Sequence, residues 1–82
     1  MFNYYQKDKV FSFEKSPNED VYFSLSERRG KTFADIRVYR KEDDGSKFET
    51  HKGIFLAFEK LVAMKEGIEK LIEAGQGKGE AA

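Results

Sequence analysis

The chain has 82 residues, no cysteine, and 15 basic against 15 acidic side chains, for a formal net charge of zero. That length allows one small domain, near the limit at which a single core suffices, and the missing cysteines exclude disulfides and thiolate metal sites as reinforcement. Packing of the eight Phe and four Tyr, or association with a second copy, must stabilise it instead. No apolar run approaches the roughly 20 residues needed to span a bilayer, and no signal-peptide pattern opens the chain, so a membrane is not an expected partner.

The charges are unevenly distributed. Residues 28–41 carry six cations (Arg28, Arg29, Lys31, Arg37, Arg40, Lys41) and one anion, Asp35, while each remaining part of the chain is slightly acidic. Screening confines electrostatic attraction to about 8–10 Å, so a segregated basic patch can meet a polyanion even on a neutral protein.

Residues 1–8 open with the aromatic run MFNYYQ and are expected to form a flexible N-terminus. From Lys9 to Glu14 the chain alternates, with Phe11 and Phe13 on one face and Ser12 and Glu14 on the other, a short first strand that ends near Lys15. The cluster Ser16-Pro17-Asn18-Glu19-Asp20 marks a turn. Val21, Phe23 and Leu25 then share one face of a second strand. Tyr22, Ser24 and Ser26 share the other, left open to water or ligand as antiparallel sheets allow. Glu27-Arg28-Arg29-Gly30 supplies a short hairpin connection, with Gly30 able to take positive φ.

The third strand, Lys31 to Arg40, has an apolar face of Thr32, Ala34, Ile36 and Val38. Its opposite face carries Lys31, Phe33, Asp35, Arg37 and Tyr39. Rings interleaved with cations suit single-stranded nucleic acid, because rings stack on bases and cations track phosphates. By composition alone the same run is equally a solvated hairpin. Asp35 reads as an ion-pair partner that orients Arg37. Residues 41–46 form a polar turn with Asp44-Gly45 at its tip. A fourth strand follows from Lys47 to Leu56, with Ile54 and Leu56 facing the core and Gly53 marking a bulge or a close backbone approach. His51, the single histidine, reads either as a phosphate or base contact or as a solvent-exposed residue.

From Ala57 to about Ala74 the period becomes helical. Leu61, Met64, Ile68 and Leu71 form a stripe widened by Phe58, Val62 and Ile72. Gly75 is the expected stop, and residues 76–82 are expected to be disordered. Seven apolar residues are a broad stripe for one small sheet to cover. This predicts a homodimer, with Leu61, Met64, Ile68 and Leu71 at its interface. The fold class is therefore α+β, ββββα, with one domain over residues 9–75.

With that element order, the chain resembles the single-stranded-DNA-binding domain of the transcriptional coactivator positive cofactor 4 family. The residues that carry the resemblance are Tyr22-Phe23-Ser24-Leu25, Gly30-Lys31 with Asp35-Ile36-Arg37 and Tyr39, and Lys52-Gly53-Ile54-Phe55-Leu56, within roughly residues 9–72. The resemblance implies a curved four-stranded antiparallel sheet followed by a helix, dimerising through the helix, an architecture shared with the Whirly proteins. It implies nucleic-acid contacts for Lys31, Arg37 and Lys52. Arg28 and Arg29 match the tip of the hairpin between the second and third strands, where the family typically offers an aromatic and a lysine. Arg40 falls where eukaryotic members place a stacking tryptophan. Arginine planes can stack on bases, and Tyr22, Phe33 and Tyr39 are expected to compensate for the missing rings. A weaker similarity, carried by Val10-Phe11-Ser12 and Tyr22-Phe23, is to the Pur-alpha-like proteins.

The expected function is thus largely sequence-independent binding of single-stranded DNA, with RNA as the alternative ligand, in transcription regulation or in DNA replication and repair. A Pur-alpha-like regulator and a coactivator module contacting transcription proteins are the competing expectations. No nucleophile–base pair or metal constellation is evident, so neither an enzyme, a cofactor nor a metal is expected. A cysteine-free chain fits a reducing, intracellular setting; the expected location is cytoplasmic, on the nucleoid if the source is a bacterium.

Overall fold

A computed structural model describes residues 7–77. Four strands, β1 (Lys7–Ser16), β2 (Glu19–Arg28), β3 (Lys31–Lys41) and β4 (Lys47–Ala57), precede one turn of 3-10 helix (Phe58–Lys60) and a helix α1 (Leu61–Gly77). The strands form one antiparallel sheet in the order β1-β2-β3-β4, so each neighbour in sequence is a neighbour in space. No helix among the described residues is long and apolar enough to cross a membrane.

All three hairpins close through the residues expected, the first through Pro17-Asn18 between Ser16 and Glu19. Arg29 (φ 51°) and Gly30 (φ 79°) are the central pair between Arg28 and Lys31, and two successive positive φ values match the right-handed twist of the flanking strands. At the β3–β4 connection, Gly45 takes φ 90°. Asp44 Oδ1 accepts from the Ser46 backbone N–H and hydroxyl at 2.9 and 2.7 Å.

The register of β2 on β3 is unbroken. Val21 faces Val38, Phe23 faces Ile36, and Leu25 faces Ala34. Ile54 and Leu56 of β4 continue this ladder on one side, and Phe13 and Phe11 of β1 continue it on the other. One face of the sheet is therefore apolar across all four strands, as the alternation predicts. Val10 is an extra residue in β1, because Lys9 pairs with Ser24 whereas Phe11 pairs with Phe23. This bulge resets the alternation and turns Lys7 and Lys9 to the polar face while the phenylalanines stay on the apolar one.

A larger irregularity lies between β3 and β4. Arg37 pairs with Gly53 and Tyr39 with Glu49, so Thr50, His51 and Lys52 together oppose Val38. The Thr50 hydroxyl donates to the Val38 carbonyl at 2.7 Å and accepts from the Lys52 N–H at 3.2 Å. A Cβ at Gly53 would overlap the Ile36 carbonyl oxygen and lie 2.9 Å from the Arg37 Cα. Gly53 is thus both the end of a bulge and a close backbone approach.

The helix departs most from expectation. Ala34, Ile36, Val38, Ile54 and Leu56 were positioned to hold it, yet α1 buries none of its residues. Contact between helix and sheet is slight and centres on Phe58 and Leu61, which border an apolar groove of about 280 Å³ with Val10, Phe23, Leu25, Ala34 and Ile36. The physical reason is connectivity: β4 runs straight into the 3-10 turn at Phe58, with no reversing loop to fold the helix back over the sheet. Phe11 stays 61 % exposed, Val62 76 % and Leu71 72 %. The Cα radius of gyration, 15.2 Å, exceeds the roughly 12 Å of a compact chain this long.

Three boundaries also move. The strand expected from Lys9 begins at Lys7, so Lys7 and Asp8 leave the expected flexible segment; residues 1–6 lie outside the described residues. The helix passes through Gly75 to Gly77, because Gly75 does not take the positive φ that a helix stop requires. Gln76 and Gly77 are accordingly helical, and the rest of the expected disordered tail lies outside the described residues.

Gly53→Ala is expected to destabilise the fold by about 3 kcal/mol, since backbone must move to admit the methyl. Gly30→Ala meets no atom within 4 Å and is expected to cost only the left-handed strain of about 1–2 kcal/mol. Thermal melts of the two variants by circular dichroism compare them directly.

Candidate nucleic-acid interface

The polar face of the sheet is built by the same alternation that makes the other face apolar. It gathers Tyr22 from β2, Phe33, Asp35, Arg37 and Tyr39 from β3, and, through the Val10 bulge, Lys7 and Lys9 from β1. Lys47, Glu49 and Phe55 join from β4. Two aromatic clusters stand on it. Tyr22 and Tyr39 lie 4.7 Å apart between ring centroids, and Phe33 stacks on Phe55 at 4.9 Å with 14° between the planes.

Cations accompany both clusters. Lys9 Nζ sits 4.7 Å from the Tyr22 centroid and 4.9 Å from that of Tyr39, while Lys47 Nζ lies 5.5 Å from the Tyr22 ring and donates to its hydroxyl at 3.0 Å. At the other end the Arg28 guanidinium carbon lies 4.8 Å from the Phe55 centroid. These distances are within the range where a ring quadrupole attracts a cation.

Between the clusters lies Asp35, whose side chain is 4 % exposed. One oxygen accepts from Arg37 Nε at 3.0 Å and the other pairs with Lys7 Nζ at 3.0 Å, which confirms the reading of Asp35 as the group that orients Arg37. Arg37 Nη1 donates to the carbonyls of Thr50 and His51 at 3.4 and 3.1 Å. One guanidinium nitrogen, Nη1, therefore supports the bulge, while Nε is held by Asp35. Lys7 also pairs with Glu49 at 2.6 Å, and Glu49 accepts from the Tyr39 hydroxyl at 3.3 Å. Burial works against the charged form of Lys7, but the hydrogen bonds to Glu49 and Asp35 and their charges outweigh it, raising its pKa above the ordinary 10.5. Burial, with Glu49 beside it, also raises Tyr39.

Further along the tyrosine end, Asp20 meets Lys47 at 3.1 Å and Lys41 at 3.3 Å, and Lys41 reaches Glu14 at 3.1 Å. Burial pushes the Asp20 carboxyl up, yet the bonds from Lys47 and Lys41 prevail and hold it below its usual range. Lys47 is raised by its bond to the Tyr22 oxygen and then by Asp20. Glu14, Asp20, Asp35 and Glu49 thus pair with Lys7, Lys41 and Lys47 in this half of the face, while Lys9 lies on the tyrosine rings.

The expected site residues separate accordingly. Tyr22, Phe33, Arg37 and Tyr39 share the polar face, with Arg28 and Lys31 paired at its hairpin end and Arg29 exposed in the turn. Arg40 does not join them. Its register partners are Glu19 and Phe48, which puts it on the apolar side, one step out of phase with Tyr39. Lys52 is 72 % exposed along its side chain and lies 4.0 Å from the same Glu19. His51 is exposed. Lys7 and Lys9 are the members that strand alternation alone misplaces, since a bulge at Val10 leaves no turn residue to announce it; Lys47 and Phe55 lie on the face opposite Ile54 and Leu56, as simple alternation requires. No cluster of three or more His, Cys, Asp or Glu suited to a metal ion occurs among the described residues.

Comparison of the chain with protein-family models, with curated proteins and with solved structures returned no match.

Asp35→Ala would leave Lys7 and Arg37, 13 % and 15 % exposed, without their shared countercharge. Breaking such a pair costs about 3–5 kcal/mol. Urea denaturation of the variant against the parent chain measures the loss, which is expected near the lower figure because Lys7 keeps Glu49.

Proposed function

We propose that this protein binds single-stranded nucleic acid on the polar face of its sheet, without strong sequence preference, as a homodimer. The observation that carries this reading is the pairing of rings with cations at both ends of that face: Lys9 over Tyr22 and Tyr39, and Arg28 over Phe55. A duplex hides its base faces, whereas a single strand offers them together with its phosphates. The ββββα order supports the resemblance to the positive cofactor 4 family, and with it DNA as the first choice over RNA. Transcription regulation, replication and repair all expose such strands. Arg29 and Lys31, both exposed, are the cations best placed to meet phosphates. Arg37 acts chiefly as a support for the bulge.

The homodimer follows from two uncovered apolar surfaces on one chain. Phe11, Phe13, Phe48 and Ile54 are 45 % or more exposed on the sheet, and Val62, Ile68, Leu71 and Ile72 are equally bare on the helix. Contiguous apolar surface of this kind marks an interaction site, and a second copy supplies the complementary helix and sheet to both at once. Leu61 and Met64, half-buried within one chain, stand at the inner end of that interface.

A protein-binding reading is favoured by one observation, the neutralisation of Lys41 and Lys47 by Glu14 and Asp20, which makes the tyrosine end zwitterionic rather than basic. Competition between oligo-dT and a transcription-protein partner separates the two.

Fluorescence anisotropy is expected to show oligo-dT bound far more tightly than duplex. If about four phosphates are neutralised on each sheet, log K falls against log[salt] with a slope near −3; a flat dependence refutes the electrostatic account. Light scattering is expected to report a dimer. Leu71→Glu, which places charge on the bare helix face, is expected to yield monomers with a loosened sheet, whereas an unchanged dimer removes α1 from the interface.

A further inference from the structure

The two aromatic clusters of the polar face are unequal, and the difference decides where a base can stack. At the tyrosine end, Tyr39 is 8 % exposed, and Lys9 and Lys47 already cover the Tyr22 ring. Lys47 is held there by its bond to the Tyr22 hydroxyl and by Asp20. Four carboxylates nearby, Glu14, Asp20, Asp35 and Glu49, pair with Lys7, Lys41 and Lys47. A phosphate arriving here would displace ion pairs and meet their carboxylates.

The phenylalanine end is the more exposed of the two. Phe55 is 36 % exposed, and a flat π-conjugated group, the Arg28 guanidinium, already lies over its ring. Phe33 stacks against Phe55 nearly in parallel and backs its ring. Beside it, where β4 leaves the sheet at Ala57, a groove of about 410 Å³ is bordered by Lys31, Thr32, Phe33, Ala57, Phe58 and Glu59. Lys31 makes no ion pair among the described residues. Glu59 is the groove's one anion and would repel a phosphate from the Phe58 side, so a backbone can pass only along Lys31 and Arg28.

We infer that the Phe33–Phe55 platform is the base-stacking subsite of this protein: one nucleobase of a single strand lies on Phe55, its flanking phosphate rests between Arg28 and Lys31, and the tyrosine cluster serves as structural support. In this arrangement the base takes the place of the guanidinium over Phe55, and Arg28 turns to the phosphate. The subsite rests on the nucleic-acid reading above and makes it more specific, since it assigns stacking to Phe55 and withdraws it from Tyr22 and Tyr39.

The test uses the full chain with two fluorescein-labelled probes of equal length, oligo-dT and an abasic tetrahydrofuran-phosphate backbone. The unaltered protein is expected to bind oligo-dT more tightly than the abasic probe. Phe55→Leu is expected to weaken oligo-dT binding roughly 5- to 150-fold, the range for loss of one stacked base, and to leave the abasic probe unchanged. An unchanged oligo-dT affinity overturns the subsite while leaving nucleic-acid binding intact, and equal loss on both probes overturns it by showing a merely structural role. If the unaltered protein binds neither probe, the nucleic-acid reading itself fails. In case Phe55→Leu does not fold, chemical-shift mapping of the unaltered protein with oligo-dT gives the same decision. Ring-current shifts on Phe33, Phe55 and Arg28 support the subsite, and shifts confined to Tyr22 and Tyr39 overturn it.

Discussion

Asp35 is a carboxylate with almost no access to water, and a buried charge is tolerated only when it is paired and hydrogen-bonded. Its two oxygens meet that requirement with partners from different strands, Arg37 of β3 and Lys7 of β1. Arg37 passes the constraint on to β4 through the carbonyls of Thr50 and His51, and Lys7 does the same through Glu49. The sheet is thus tied across its width on the face that has no apolar core. The spacing of the two aromatic clusters follows from this tie, because Tyr39 and Phe55 flank it along the strands.

The two faces have opposite energetic problems. On the polar face Lys7, Arg37, Lys41 and Lys47 are matched by carboxylates, whereas Lys31 makes no ion pair among the described residues. The apolar face is unsatisfied, since Ala34 and Tyr39 are the only buried apolar residues among those described, and Tyr39 lies on the other side. Burial of apolar surface is the dominant favourable term in folding. In a chain that leaves this much of it bare, folding depends on how that face is covered, which connects the proposed homodimer to the integrity of the proposed binding face.

Much of this was legible in the residues. Val21, Phe23 and Leu25 alternate against Tyr22, Ser24 and Ser26, and the register places them as that alternation requires. Arg29-Gly30 and Asp44-Gly45 carry the positive φ values their turns need, and Gly53 stands where no side chain fits. Bulges were harder. At Gly53 the glycine betrays one, but Val10 is an ordinary strand residue, and only the partner strand reveals that it is extra. Alternation alone therefore does not place Lys7 and Lys9 on the face they occupy. Arg40 belongs to the same motif as Arg37, but strand parity sets it on the other side.

The sequence by itself determined the element order, the two chemically distinct faces of the sheet and the turns between strands, because each is a local consequence of side-chain alternation and backbone φ. Tertiary structure alone decided which cations are free to meet a ligand and where the helix goes. Lys7 finds Asp35 across 28 residues and Lys41 finds Glu14 across 27, pairings that no local pattern encodes. The helix leaves the sheet because β4 enters it without a reversing loop, so its apolar stripe, though plain in the residues, is buried by nothing within the chain.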